Sequence, residues 1–333
     1  MRRLALNLLT VSATVAALAA LVLPAKRVLD APRWEQPHGP VPTGSRLFGV
    51  YVDPWHVDEW ARHVGAQPQM VAKFEAFSND RTLDKFIDEA ERQGLRRMLI
   101  SWEPWKPVPT SLGIVAQFSP QLGYRNADIA AGWDDAYLER FARSLQRFHG
   151  IVYLRYAHEM NGFWYPWSHD AAAYRRAWRH VVTVVRRAGA KNVRMVWSAN
   201  PSLYVPKHEW LRRLRTYWPG RRYVDFVGST MINFGGRKDY SVKRFVPRLQ
   251  ALRRIYRKPV MIPEANTAYA PRGAWLGQFR QMLRGMPWIK AVAWSQLPSR
   301  GQAHLPGVGN LNWDVQSDPV AAAELRAIIR EGR

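Results

Sequence analysis

Two glutamates, Glu159 and Glu264, each end a short apolar run: Ile151-Val152-Tyr153-Leu154-Arg155-Tyr156 leads to the first and Val260-Met261-Ile262-Pro263 to the second. Runs of this composition read as buried strands, so both carboxylates fall where strand becomes loop. Two carboxylates at one mouth suit cleavage of a glycosidic bond, one as nucleophile or base and the other as proton donor; a gap of ~5–5.5 Å implies retention and ~6.5–9.5 Å inversion. Strand alternation puts Glu159 on a face with Ala157, Arg155 and Tyr153, and Glu264 on a face with Ile262 and Val260. His158 then points the other way and reads as an orienting hydrogen-bond partner. It is not half of a zinc HExxH pair, because Gly162 stands where the second histidine would be. No cysteine is present, which removes disulfides, thiolate metal sites and thiol nucleophiles; neither a metal nor a cofactor is expected.

Other strand ends bring polar and aromatic groups to the same rim. The first ends in Asp53, the third in Trp102-Glu103-Pro104-Trp105, the fifth in Trp197 followed by Asn200, and the eighth in Trp294. The loop after Glu159 carries Asn161, Trp164 and Trp167. Indole faces suit the C–H faces of sugar rings, so Trp102, Trp105, Trp164, Trp167, Trp197 and Trp294 are candidate stacking platforms. Glu103 and Asp53 either bind sugar hydroxyls or neutralise Arg155; a buried guanidinium needs a partner, which favours pairing.

The elements that must hold these residues repeat regularly. Strand-like runs are expected at Leu47–Asp53, Met70–Phe77, Arg96–Glu103, Ile151–His158, Val193–Ala199, Val224–Met231, Pro259–Glu264 and Ile289–Gln296. Amphipathic helical segments lie between them, such as Leu83–Gln93, Asp135–Phe148, Ala171–Ala188, Val242–Tyr256, Ala274–Arg284 and Pro319–Arg330. Eight alternations in this length fit a (β/α)8 barrel, in which chemistry gathers at the carboxyl ends of the strands. An open doubly wound sheet is the competing architecture, but no GxGxxG or P-loop follows any strand.

Within this frame Arg155-Tyr-Ala-His158-Glu159-Met160-Asn161-Gly162-Phe-Trp164-Tyr-Pro-Trp167 resembles the RxxHEMNGxWxxW signature of glycoside hydrolase family 26, the β-mannanase-type retaining endoglycanases. Lys258-Pro-Val-Met-Ile-Pro-Glu264 is similar to the family's KPxMIxE segment on strand seven, and Trp294 falls at its strand-eight tryptophan. The resemblance runs from about Leu47 to the final helix. It implies Glu159 as acid/base, Glu264 as nucleophile, and His158 and Trp164 beside the reacting sugar. The chain departs from the pattern on strand six: Ile232, before Asn233, stands where the family has a tyrosine that touches the nucleophile. Pro263 and Ala265-Asn266-Thr267 around Glu264 are a second departure. Both bear on the substrate, for which mannan-like, xylan, mixed-linkage glucan and envelope polysaccharides are the alternatives. A rival of another class is a glycan-binding or polysaccharide-assembly protein that kept the barrel and lost the reaction.

The chain opens with Met1-Arg2-Arg3 and an apolar run from Leu4 to Leu23, the pattern of a signal peptide or signal-anchor over residues 1–29. Export is expected, either secreted or held at the outer face of the cytoplasmic membrane, with a retained anchor slightly favoured. Residues 30–45, rich in proline and glycine, read as a linker to a catalytic domain over 46–333. The formal charge is +23, from 49 Lys and Arg against 26 Asp and Glu. Its pairs recur on helix faces and read as a dispersed, solvated outer ring, able to meet an anionic surface or polymer but not a specific nucleic-acid groove. A monomer acting on a polysaccharide is the expected form.

Overall fold

The computed structural model describes residues 45–79, 82–108, 119–234, 241–268, 271–296, 313–315 and 318–333; the expected leader and all but the last residue of the expected linker lie outside them. No described helix is long and apolar enough to cross a membrane. The strands are β1 Leu47–Tyr51, β2 Met70–Ala76, β3 Arg97–Glu103, β4 Ile151–Tyr156, β5 Val193–Ala199, β6 Phe226–Ser229, β7 Met231–Asn233, β8 Val260–Thr267 and β9 Ile289–Trp294. They are parallel throughout, in the order β6-β5-β4-β3-β2-β1-β9-β8-β7, and a further β6–β8 pairing closes the ring. β6 and β7 are halves of one stave broken at Thr230, so nine strands make the eight staves of a (β/α)8 barrel.

The surrounding helices are α1 Val57–Val64, α2 Leu83–Arg92, α3 Asn126–Ala130, α4 Asp135–Arg147, α5 Ala171–Arg187, α6 Lys207–Thr216, α7 Val246–Tyr256, α8 Arg272–Gly285 and α9 Pro319–Glu331. α5 shows why they form. Asp170 accepts from the Ala172 and Ala173 amides at 2.9 Å each, capping donors that the first turn leaves unmet. Tyr174, Ala177, Trp178, Val181, Val182 and Val185 recur at helical spacing on one buried stripe, and Arg186 and Arg187 close the last turn at the negative end of the helix dipole.

Two separate apolar layers result. Leu47, Tyr51, Met70, Ala72, Leu99, Tyr153, Val196, Met261, Ala291 and Ala293 fill the barrel, while Val50, Ile100, Trp102, Trp197, Ile262, Val292 and Trp294 pack outward against the helices. Met261, not Val260 or Ile262, is therefore the inward residue of β8. The expected grouping of Glu264 with Val260 and Ile262 fails as a description of the barrel interior.

Candidate active site

The physical reason lies in β8. Its register against β9 pairs Ile262 with Val292 but Ala265 with Trp294, so three steps on β8 match two on β9. This is a β-bulge, and it turns a side chain that strict alternation would send outward. Proline suits the position because it has no ladder amide to lose. Room for the bulge comes from Gly228 on β6, where a Cβ would lie 2.8 Å from the Met261 carbonyl oxygen and 3.0 Å from Pro263 Cδ. The Pro263 carbonyl is held from inside by the Tyr51 hydroxyl at 3.0 Å.

Glu264 is thereby delivered to Arg155, whose Nη1 donates to its Oε2 at 2.9 Å. Arg155 is fully buried. Its Nη1 also donates to Ser101 Oγ at 3.1 Å and its Nη2 to Thr230 Oγ1 at 3.0 Å, while Tyr51 Oη and Ser101 Oγ are 2.9 Å apart. Four staves thus converge on one guanidinium. The partner expected from sequence was Glu103 or Asp53; the geometry gives that place to Glu264. Burial alone would lower the Arg155 pKa, but Tyr51, Glu264 and Glu159 more than offset it and the group stays charged. Burial pushes the Glu264 pKa up, Arg155 opposes this, and the charge of Glu159 adds to it. The two glutamates therefore sense each other.

Glu159 is presented differently from the way alternation implied. β4 stops at Tyr156, and Ala157 and Glu159 adopt left-handed backbone, φ 40° and 55°. Non-glycine residues there cost on the order of 1–3 kcal/mol each and persist only where surrounding structure enforces them. The enforcement is visible: the Ala157 amide donates to the Trp102 carbonyl at 2.9 Å and the Glu159 amide to the Ser198 carbonyl at 2.8 Å. Gly162 follows because a Cβ there would lie 2.8 Å from the Trp164 ring. Asn161, expected to touch substrate, is buried and ties this loop to the next one. Its Nδ2 donates to the Asn200 carbonyl at 2.9 Å and its Oδ1 accepts the Asn200 amide at 2.8 Å. The Asn200 Oδ1 in turn accepts the Ser202 amide at 2.7 Å. Asn233 is likewise fully buried, in β7.

His158 is buried, and its Nε2 lies 3.0 Å from the Tyr165 hydroxyl and 3.8 Å from Glu103 Oε1. Burial, with Arg155 adding to it, drives its pKa well below the usual histidine value, so it is neutral. Glu103, 8 % exposed, accepts a hydrogen bond from the Trp105 indole at 3.1 Å. Burial raises its pKa to about 8 against the pull of the Trp105 bond and Arg155, with Glu264 and Glu159 adding to the rise. At neutral pH it is a carboxylic acid.

The tryptophans divide. Trp102, Trp197 and Trp294 lie in the helix-facing layer with no exposure, because the outward residue of each strand end faces the helices. Trp167 is buried too, stacked on Tyr165 at 4.3 Å and donating to the His158 carbonyl at 2.7 Å, and Trp105 serves Glu103. Of the six expected platforms only Trp164 is partly open. Ser101, Thr230, Tyr51 and Tyr165 are the members that sequence reasoning missed. Tyr165 lies in the field of Glu103, Glu159 and Glu264, and its pKa is raised well above the ordinary value by burial first and then by these acids. Ile232, also partly open, pairs in register with Asn266 and brings no hydroxyl.

Residues 134–243, which span Glu159 and its loop, match the model of Glycosyl hydrolase family 26. Over that third of the chain the sequence is similar to the family. Among curated relatives, endoglucanase H of Acetivibrio thermocellus is 26% identical over 250 residues, covering 71% of this chain and 24% of the relative. A β-1,3-xylanase of Vibrio sp. is 28% identical over 228 residues, covering 68% and 45%. The chain thus spans between a quarter and a half of the curated relatives it matches. A GH26 β-mannanase from Bacteroides ovatus superposes with a TM-score of 0.58 at 16% identity, covering 86% of this chain and 89% of the other. A GH26 protein from Muricauda sp. does so with 0.64 at 14%, covering 86% of each. At these identities the solved structures show the shared barrel.

Proposed function

We propose that this protein is a retaining glycoside hydrolase acting on a β-linked polysaccharide, with Glu264 as nucleophile and Glu159 as acid/base. The observation that carries the reading is the bulge-delivered Glu264, ion-paired to a buried Arg155 and coupled to the charge of Glu159. A nucleophile must be ionised inside a site that disfavours charge, and the guanidinium supplies that bias; a proton donor must sit on the far side of the scissile bond, and a left-handed turn on another stave presents one. Neutral Glu103 adds a hydroxyl donor for a sugar oxygen, held by Trp105. The names of the relatives, an endoglucanase, a β-1,3-xylanase and a β-mannanase, support a β-glycan backbone and leave mannan-like, xylan and glucan polymers as the panel to test. The leader supports export, with the barrel (46–333) beyond the membrane and joined to it through residues 30–45.

A second reading, a glycan-binding or polysaccharide-assembly protein without turnover, is favoured by one observation: Ile232 supplies no hydroxyl on the sixth stave. The two are separated by assaying wild type, Glu159→Gln and Glu264→Gln against mannans, xylans, mixed-linkage glucans and exopolysaccharides. Turnover by wild type that both variants lose supports the hydrolase. Tight binding with no turnover by any of the three supports the assembly protein.

A further inference from the structure

Within the dispersed outer charge expected from sequence, one stretch of the chain carries a disproportionate share. Twenty-two of the 49 Lys and Arg residues, but only three of the 26 Asp and Glu, lie between residues 171 and 258, the side of the barrel that runs from α5 to α7. On the other sides several basic groups have acidic partners: Arg92 pairs with Glu89, Arg147 with Asp84 and Asp88, and Arg280 and Arg284 with Glu331. Here Arg186, Arg187, Arg221, Arg222 and Arg257 are exposed, and none forms an ion pair with a described residue.

These cations are gathered at one end. Arg186 Nη1 donates to the Arg222 carbonyl at 2.9 Å, and Arg221 Nη1 to the Tyr256 and Arg257 carbonyls at 3.2 Å each, so neutral backbone holds like charges together. Lys258 belongs to the same cluster: burial lowers its pKa, Arg221 and Arg186 lower it further, and Asp225 opposes them. All six stand where a helix ends or a strand is about to begin. That is the end opposite Glu159 and Glu264. β1 also starts there, where the Arg46 amide donates to the Gly332 carbonyl at 2.7 Å and Ser45 Oγ meets the Arg333 carbonyl at 3.5 Å. The described chain therefore begins at the basic end, and the proline-rich stretch and the apolar run Leu4–Leu23 precede it in sequence.

We propose that this end of the barrel docks on the anionic headgroups of a phospholipid bilayer, leaving the carboxylate mouth turned away from the membrane. Two features pick out this occupant over a soluble polyanion. The five arginines are exposed and form no ion pair with a described residue, as a planar array of headgroups requires, and the apolar run precedes β1 by the 22 residues Pro24–Ser45, which reach at most ~70–80 Å. The inference rests on the reading of the leader as a retained anchor and is independent of the hydrolase reading. Each contacting cation shifts the docked population roughly fivefold, and the effect fades as salt shortens the screening length.

The test is hydrogen–deuterium exchange on the full chain reconstituted in nanodiscs of phosphatidylcholine alone or with about a third phosphatidylglycerol. Exchange around residues 186–191, 219–225 and 253–258 is expected to slow at least fivefold with the anionic lipid. The slowing should vanish at 0.5 M NaCl and in Arg186→Gln/Arg221→Gln/Arg222→Gln/Arg257→Gln. Because the lipid and salt comparisons use wild type, a poorly folding variant does not remove the test. Equal exchange in the two lipids overturns the proposal, as does protection that appears only when DNA or a soluble anionic polysaccharide is added. Failure of the chain to remain with the discs also overturns it. Turnover at the mouth is a separate readout, and its absence would count against the hydrolase reading alone.

Discussion

Replacing Glu103 by Gln tests whether the site holds a neutral acid. A carboxyl whose pKa is about 8 in the folded chain and 4.5 in the unfolded chain keeps its proton in the folded state over an interval where the unfolded state has lost it. The folded state therefore binds more protons between these values, so the contribution of Glu103 to stability is fully present below pH 4.5 and is lost as pH rises toward 8. At ~1.36 kcal/mol per unit, the penalty that accumulates between pH 5 and pH 8 is roughly 3–4 kcal/mol. Glutamine mimics the neutral acid in shape, can still accept from Trp105, and does not titrate. Urea unfolding of wild type and Glu103→Gln at pH 5 and pH 8 isolates the effect, because Glu264, His158 and every other titrating group are common to both chains. The variant should lose about 3 kcal/mol less than wild type over this interval. Parallel losses would refute a raised pKa for Glu103 and with it the description of the site as one that disfavours charge.

Other perturbations follow from the same contacts. Arg155→Met leaves Glu264 buried without its cation; a stability loss of about 3–5 kcal/mol is expected in denaturant titrations, with turnover lost at neutral pH because Glu264 then keeps its proton. Asn161→Ala removes the tie between the loops after β4 and β5 at a cost of about 1–3 kcal/mol, measured as a lowered Tm, with faster proteolysis between residues 159 and 206 as the local signature. Glu159→Ala should abolish cleavage of natural polysaccharide yet still react with substrates whose leaving groups need no proton; equal loss on both kinds of substrate would contradict its assignment as acid/base.

The barrel was legible because its strands are short β-branched or aromatic runs separated by amphipathic segments, and periodicity of that kind survives in single positions. Orientation at the strand ends was not. Alternation is a rule for regular strands, and both glutamates lie where regularity fails: Glu159 in a loop where it and Ala157 are both left-handed, and Glu264 in a bulge set by Pro263 and admitted by Gly228. Proline inside a run that otherwise reads as a central strand was the available signal for the bulge. Trp102, Trp197 and Trp294 were misplaced for another reason: standing at a strand end put them at the mouth in sequence, while their side chains face the helix layer. Ser101 and Thr230 could not be found from sequence, because a hydroxyl that serves a buried guanidinium looks like any other strand residue. The asymmetry of charge was available to simple counting along the chain; what counting lacked was the topology that brings Arg186, Arg221 and Lys258 to one end.

The central claim is that Glu264, held by Arg155, attacks the sugar. It is tested most directly by incubating Glu159→Ala with an activated glycosyl substrate built on whichever polysaccharide wild type cleaves, digesting the protein, and sequencing the peptides by mass spectrometry. The account expects a covalent glycosyl adduct on Glu264. Rapid release of the leaving group with no adduct on Glu264, or with an adduct on another residue, would contradict it.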